Sequence, residues 1–150
     1  MIDGGLRPTF HEMLKSGFDW QAIETGGTGK GIPDSNFCHR ECGDRWIEFK
    51  ATDGWVVDLS PEQIGWHKKR ARYGGKTFIA VRRHHGGGPR KGHPVDQLWL
   101  YHGAAAELLK RDGIRGSEDK PYFIGVWHGG KARWAWDEIA RALITAPQGR

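Results

Sequence analysis

The chain has 150 residues and 16.9 kDa, room for one core and not for two comfortable ones, and its 23 Lys and Arg against 18 Asp and Glu give a net charge of +5. Hydrophobic residues make up 37%, with eight Trp and six Phe available for burial, so the composition excludes a disordered chain. No apolar run reaches membrane-spanning length, the N-terminus lacks a basic start followed by an apolar stretch, and two cysteines make no disulfide framework; a soluble cytoplasmic protein is expected.

In chain order, residues 8–17 read as a short helix, with Phe10, Met13 and Leu14 on one face and Gly17 as its stop. Asp19 to Thr25 reads as a strand that runs into the breaker-rich Gly26-Gly27-Thr28-Gly29-Lys30-Gly31. Ile32 to His39 and Arg45 to Thr52 read as two strands around a turn at Glu41-Cys42-Gly43-Asp44. Ser60 is a good N-cap, Pro61 suits the first helical position and Gln63 completes a capping-box pattern; the helix runs through Lys68-Lys69-Arg70-Ala71-Arg72 to Gly74. Lys76 to Arg83 is a strand with the apolar centre Phe78-Ile79-Ala80-Val81, His84 to Pro94 is a Gly-rich loop, and Asp96 to His102 is another strand. A helix over Ala104 to Lys110, a strand over Tyr122 to His128 and a helix over Trp134 to Thr145 complete the chain, the last with Trp136, Ile139, Ala140 and Leu143 on one face. The order predicts a single α/β domain over residues 1–150, with one mixed β-sheet flanked by helices.

The charge is unevenly placed. Residues 1–50 carry 6 basic and 8 acidic groups, whereas residues 60–93 carry nine basic groups opposed only by Glu62. Such an excess suits a polyanion, nucleic acid above all, or a solvated face of a basic protein.

Glu48-Phe49-Lys50 lies inside the third predicted strand. Side chains alternate across a strand, so Glu48 and Lys50 share one face while Ile47, Phe49 and Ala51 share the core face. Asp34 follows Gly31-Ile32-Pro33, and a hairpin at Cys42-Gly43-Asp44 lands it opposite Glu48. Two carboxylates so placed are costly unless a cation holds them, and hard oxygen ligands suit Mg²⁺ or Mn²⁺. A lone E-x-K is common on exposed strands and Pro-Asp is ordinary turn chemistry; the combination of G-x-P-D, a hairpin's separation, an apolar-flanked E-x-K and a capped helix is more specific.

Those residues, with Gln63 and the strand ending Val81-Arg82-Arg83, resemble the PD-(D/E)XK nuclease superfamily over about residues 20–83, most of all the small phage and VRR-type nucleases related to Holliday-junction resolvases. The resemblance implies a restriction-endonuclease-like core and a metal-dependent endonuclease that hydrolyses DNA phosphodiester bonds, with Mg²⁺ as cofactor and Mn²⁺ as a substitute. It implies that Asp34 and Glu48 are metal ligands with the Phe49 carbonyl as a further one, and that Lys50 orients or activates the attacking water. Gln63 matches a polar residue that related nucleases place on the helix beside the site, or serves only as the partner of Ser60. An auxiliary acid falls to Glu24, before the Gly-rich loop, or to Glu12 on the first helix. Branched DNA and a homodimer are the implied partner and assembly. A less selective single-strand or flap nuclease and a non-catalytic DNA-binding protein are the alternatives.

Lys68, Lys69, Arg70, Arg72, Arg82, Arg83, Arg90 and Lys91 are the candidates for phosphate contacts. Cys38 and Cys42 flank the hairpin tip, but a structural zinc site wants four ligands and no second Cys pair exists. His84, His85 and His93 in the Gly-rich loop suit metal, DNA or plain solvent. Gly26 to Lys30 mimics a phosphate-binding loop without its full spacing or a following helix. Trp127, Trp134 and Trp136 suit base stacking or, more ordinarily, the core or a dimer interface.

Overall fold

Phe78, Ile79, Ala80 and Val81 are consecutive, apolar and all but inaccessible, the pattern of a strand covered on both faces. In the computed structural model, which describes residues 3–24 and 29–145, they form the centre of β4 (Thr77–His85). It lies parallel to β3 (Gly43–Thr52), with Glu48 beside Ile79 and Lys50 beside Val81. A parallel pair needs a long crossover, supplied here by α2 (Pro61–Arg72).

The rest of the sheet is antiparallel, in the sequential order β1 (Phe18–Ala22), β2 (Ser35–His39), β3, β4, β5 (Val95–His102) and β6 (Phe123–His128). α1 (Leu6–Met13) and α4 (Trp136–Thr145) cover one face, where Phe10, Ile139 and Leu143 meet Phe37, Ile47, Phe49, Phe78 and Leu98. α2 and α3 (Ala106–Asp112) cover the other, where Ile64 and Leu109 meet Ile79, Val81, Trp99 and Tyr101. A single mixed sheet flanked by helices is therefore the architecture, as the order of predicted elements implies.

α2 begins where expected: the Ser60 hydroxyl accepts from the Gln63 N–H at 3.1 Å, and the Gln63 side-chain oxygen accepts from the Ser60 N–H at 3.0 Å. The first helix starts two residues earlier than expected and ends at Met13, with Leu14 closing its last turn. β2 starts at Ser35 rather than Ile32, because Gly31 to Asp34 form a loop against α2. The Gly-rich 84–94 segment is partly ordered: β4 runs to His85, the His85 ring accepts from the Gly87 N–H at 3.1 Å, and Gly88 bridges to Gly92. Of the mimic of a phosphate-binding loop, Gly26 to Thr28 lie outside the described residues, as does Thr25 of the first predicted strand. Trp134 is buried, and Trp127 and Trp136, partly buried, pack against the α1 and α4 core. Among the described residues no helix is long and apolar enough to cross a membrane.

Candidate active site

The β2–β3 register runs from His39–Gly43 to Ser35–Ile47, and one step further sets Asp34 opposite Glu48. The loop before Asp34 is held by Gly31, whose φ of +88° is open to glycine and whose missing Cβ leaves room for the Glu62 carbonyl of α2. Pro33 is buried beside it. β2 begins only at Ser35 while β3, running antiparallel to it, continues past Ile47 to Thr52, so the Phe49 N–H has no strand partner on that side; the Asp34 carboxylate accepts it at 2.9 Å. The N–H and C=O of one strand residue face the same side, so the Phe49 carbonyl turns toward the same gap. Behind Asp34, the Ser35 hydroxyl meets the His11 ring at 2.9 Å, and that ring stacks on Trp20 at 4.7 Å. α1 is thus tied to the residue next to Asp34.

Glu48 is 1% exposed beneath α2, and its Oε1 has no hydrogen-bond partner. Burial, then a hydrogen bond shared with the Asp34 carboxyl, then that group's charge push its pKa up to about 9, against the opposing pull of Lys50. At neutral pH Glu48 therefore holds a proton. A buried pair of oxygens with one orphan and a nearby backbone carbonyl is a donor set that suits a hard divalent cation, which replaces that proton.

His67, four residues after Gln63 on α2, is wholly buried. One ring nitrogen lies 3.0 Å from the Thr77 hydroxyl and the other has no partner. Burial, with a smaller effect of the Lys50 charge, lowers its pKa to about 4, so the ring is neutral. Gly103 permits this packing, since a Cβ there would overlap both Thr77 and the ring. The histidine pattern of the sequence carried no sign of His67 or His11; only register and helix packing bring them near the site.

Other expected site residues are elsewhere. Glu24 is 82% exposed and pairs with Arg7 at 3.6 Å, and Glu12 pairs with Lys15 at 3.3 Å and lines a groove of about 1260 Å³ that neither Asp34 nor Glu48 lines. Neither joins the carboxyl pair; among the described residues no three His, Cys, Asp or Glu side chains gather as a metal set, the Cys38–Cys42 hairpin included. Gln63 uses its side-chain oxygen on the Ser60 cap.

The basic candidates divide by face. Lys69 and Arg72 are exposed on α2, while Lys68 pairs with Glu107 and Arg70 lies over Trp66, 4.4 Å from the ring centre. Arg90 is exposed in the Gly-rich loop, and Lys91 pairs with Asp53 at 3.2 Å. Arg82 has partners within the fold: its guanidinium donates to both Asp96 oxygens at 2.8 and 2.7 Å and to the Gly4 carbonyl, tying β4 to β5 and to the segment before α1. Arg83 points to the opposite face, 3.8 Å from the Trp55 ring centre.

Neither a protein-family model nor a curated protein matches the chain. Among solved structures, that of Hjc from Archaeoglobus fulgidus, a Holliday junction resolvase from an archaeal hyperthermophile, aligns with a TM-score of 0.47 and 16% identity, over 91% of this chain and 96% of that one.

Proposed function

We propose that this chain is a divalent-cation-dependent endonuclease that hydrolyses phosphodiester bonds of DNA, selective for branched structures, in the manner of the PD-(D/E)XK nucleases it resembles. The observation that carries the reading is the Asp34–Glu48 pair, set opposite each other across β2 and β3 with a buried oxygen left without a partner and Lys50 on the same face.

Asp34, Glu48 and the Phe49 carbonyl are the residues that would hold Mg²⁺ or Mn²⁺. When bound, such a cation supplies Lewis acidity at the phosphate and offsets the charge that its oxygens gain. Asp34 is oriented for this by the Phe49 N–H and by the His11–Ser35 contact one residue away. Lys50 orients the attacking water and meets the developing negative charge. Lys69, Arg72 and Arg90 supply the backbone contacts, which carry no sequence information, so selectivity comes from DNA shape. A symmetric homodimer in the cytoplasm fits a junction with two strands to cut.

Purified protein is incubated with labelled four-way junction, flap, single-stranded and linear duplex DNA in Mg²⁺, Mn²⁺ or EDTA. Cutting is expected with either cation and not in EDTA, lost by at least about a thousandfold in Asp34→Asn and Glu48→Gln, and reduced in Lys50→Ala with binding retained. DNA binding without cutting under any cation leaves only the non-catalytic reading.

A further inference from the structure

The sheet registers draw a continuous surface from the carboxyl pair to a second cluster. Glu48 lies beside Ile79 and Lys50 beside Val81, and the next step on the same face sets Thr52 beside Arg83, Arg83 beside Gln97 and Gln97 beside His128. At roughly 3.3 Å per residue, Thr52 is about 13 Å along β3 from Glu48. Over this row stands Trp55, with the Arg83 guanidinium 3.8 Å and the Arg115 guanidinium 4.7 Å from its ring centre.

The cluster is built, not loose. Arg83 donates to the Gly54 carbonyl at 2.8 Å, the Trp55 carbonyl accepts from the Ile114 N–H at 2.9 Å, and Gly113 leaves room for that carbonyl where a Cβ would overlap it. Among the described residues no carboxylate lies within ion-pair distance of Arg83 or Arg115, although the two cations are close enough to repel. Beside Trp55 and Arg115 opens a groove of about 550 Å³, also lined by Gln97, Trp99, Glu118 and Asp119.

Two guanidiniums without counter-ions ask for an anion. The exposed Arg115 guanidinium, backed by the Trp55 indole, offers a flat stacking face for a base, and the acidic side chains lining the groove accept from exocyclic amino groups while keeping phosphate at the arginine side. A paired base has its faces and edges occupied and cannot enter such a groove. We propose that Trp55, Arg83 and Arg115 form a platform that stacks one unpaired nucleotide of the DNA strand, a few nucleotides from the bond cut at Asp34 and Glu48. This rests on the nuclease reading only for its position relative to the cut; the platform itself binds without chemistry.

The test is binding in EDTA, read by the fluorescence of a single 2-aminopurine in a short single-stranded oligothymidylate, against the same strand annealed to its complement. Wild-type protein should quench the single-stranded probe, and Arg115→Ala and Trp55→Leu should each weaken that binding by about tenfold with duplex affinity unchanged. Arg115 is exposed, so its variant melts as wild type and stands if Trp55→Leu misfolds. An equal loss on single strand and duplex, no loss on either, or no single-strand binding by wild type overturns the platform. Cation-dependent cutting that fails while the Arg115-dependent quench persists sinks the nuclease reading and leaves the platform; cutting that proceeds with no Arg115 effect does the reverse.

Discussion

Glu48 shows how burial turns an ordinary side chain into a poised one. Its folded pKa of about 9 lies far above that of an unfolded glutamate, so between about pH 4.5 and 9 the folded state holds a proton that the unfolded state has lost. Stability contributed here therefore falls as pH rises through that window and levels off above pH 9. Glu48→Gln, which keeps the shape without the charge, should raise stability in EDTA at pH 8 by about 1–3 kcal/mol, measured by urea unfolding, while abolishing cutting. Added Mg²⁺ should stabilise the wild type at pH 8 and leave Glu48→Gln unmoved. His67 acts in the opposite direction. Its folded pKa of about 4 lies below the unfolded value, so its contribution is present above about pH 6.5 and is lost as pH falls toward 4. The two effects oppose and nearly cancel between about pH 4.5 and 6.5, so thermal melts of the wild type should be flat there and fall from pH 6.5 to 9, whereas Glu48→Gln should lose the alkaline fall and show a rise from about pH 4 to 6.5.

α2 does two jobs at the scale of the element. Its capped start fixes where the helix begins, and its first turn supports the Gly31 loop that delivers Asp34. Loss of the cap in Ser60→Ala should cost about 1 kcal/mol in urea unfolding, with little change in cutting by the folded fraction. Gly31→Ala is different in kind, because it forces a Cβ into a positive-φ position against the Glu62 carbonyl. It should cost about 1–3 kcal/mol and also depress cutting in the folded fraction, since the loop must shift with Asp34 attached. A Gly31→Ala protein that melts and cuts as wild type would overturn this account of the loop.

The whole molecule divides its side chains between two sheet faces. The α1 and α4 face packs one apolar cluster, the α2 and α3 face packs the other and carries Glu48 and Lys50, and adjacent Arg82 and Arg83 fall on opposite sides of that divide. Arg82→Ala leaves Asp96 without its half-buried partner, and should cost about 2–3 kcal/mol in urea unfolding with DNA affinity per folded molecule unchanged. Replacing exposed Lys69 and Arg72 with Ala should leave the melt alone and reduce the slope of log affinity against log salt by about 2, at roughly 0.9 per lost phosphate contact.

How much was legible in the sequence follows from which interactions are local. Capping at Ser60 and Gln63, the apolar run of β4 and the alternation of Ile47, Glu48, Phe49 and Lys50 are near-neighbour properties, and they determined the elements, their order and the face that Glu48 and Lys50 share. The hairpin is also local, so its register, with Asp34 opposite Glu48, could be counted along the chain. Arg82 and Arg83 could not be divided by charge alone, because Asp96 and Trp55 meet them only across strands and loops. Glu12 and Glu24 lie near Asp34 in sequence or on the expected helix, yet ion pairs with Lys15 and Arg7 hold them at the surface. His11 and His67 became part of the site's surroundings through helix-on-sheet packing, and the burial that orphans Glu48 Oε1 exists only once α2 lies over β3. Side-chain type and spacing determine which groups share a strand face; the desolvation that raises a pKa and the partners that use up a charge come from distant segments, and only the tertiary structure decided those.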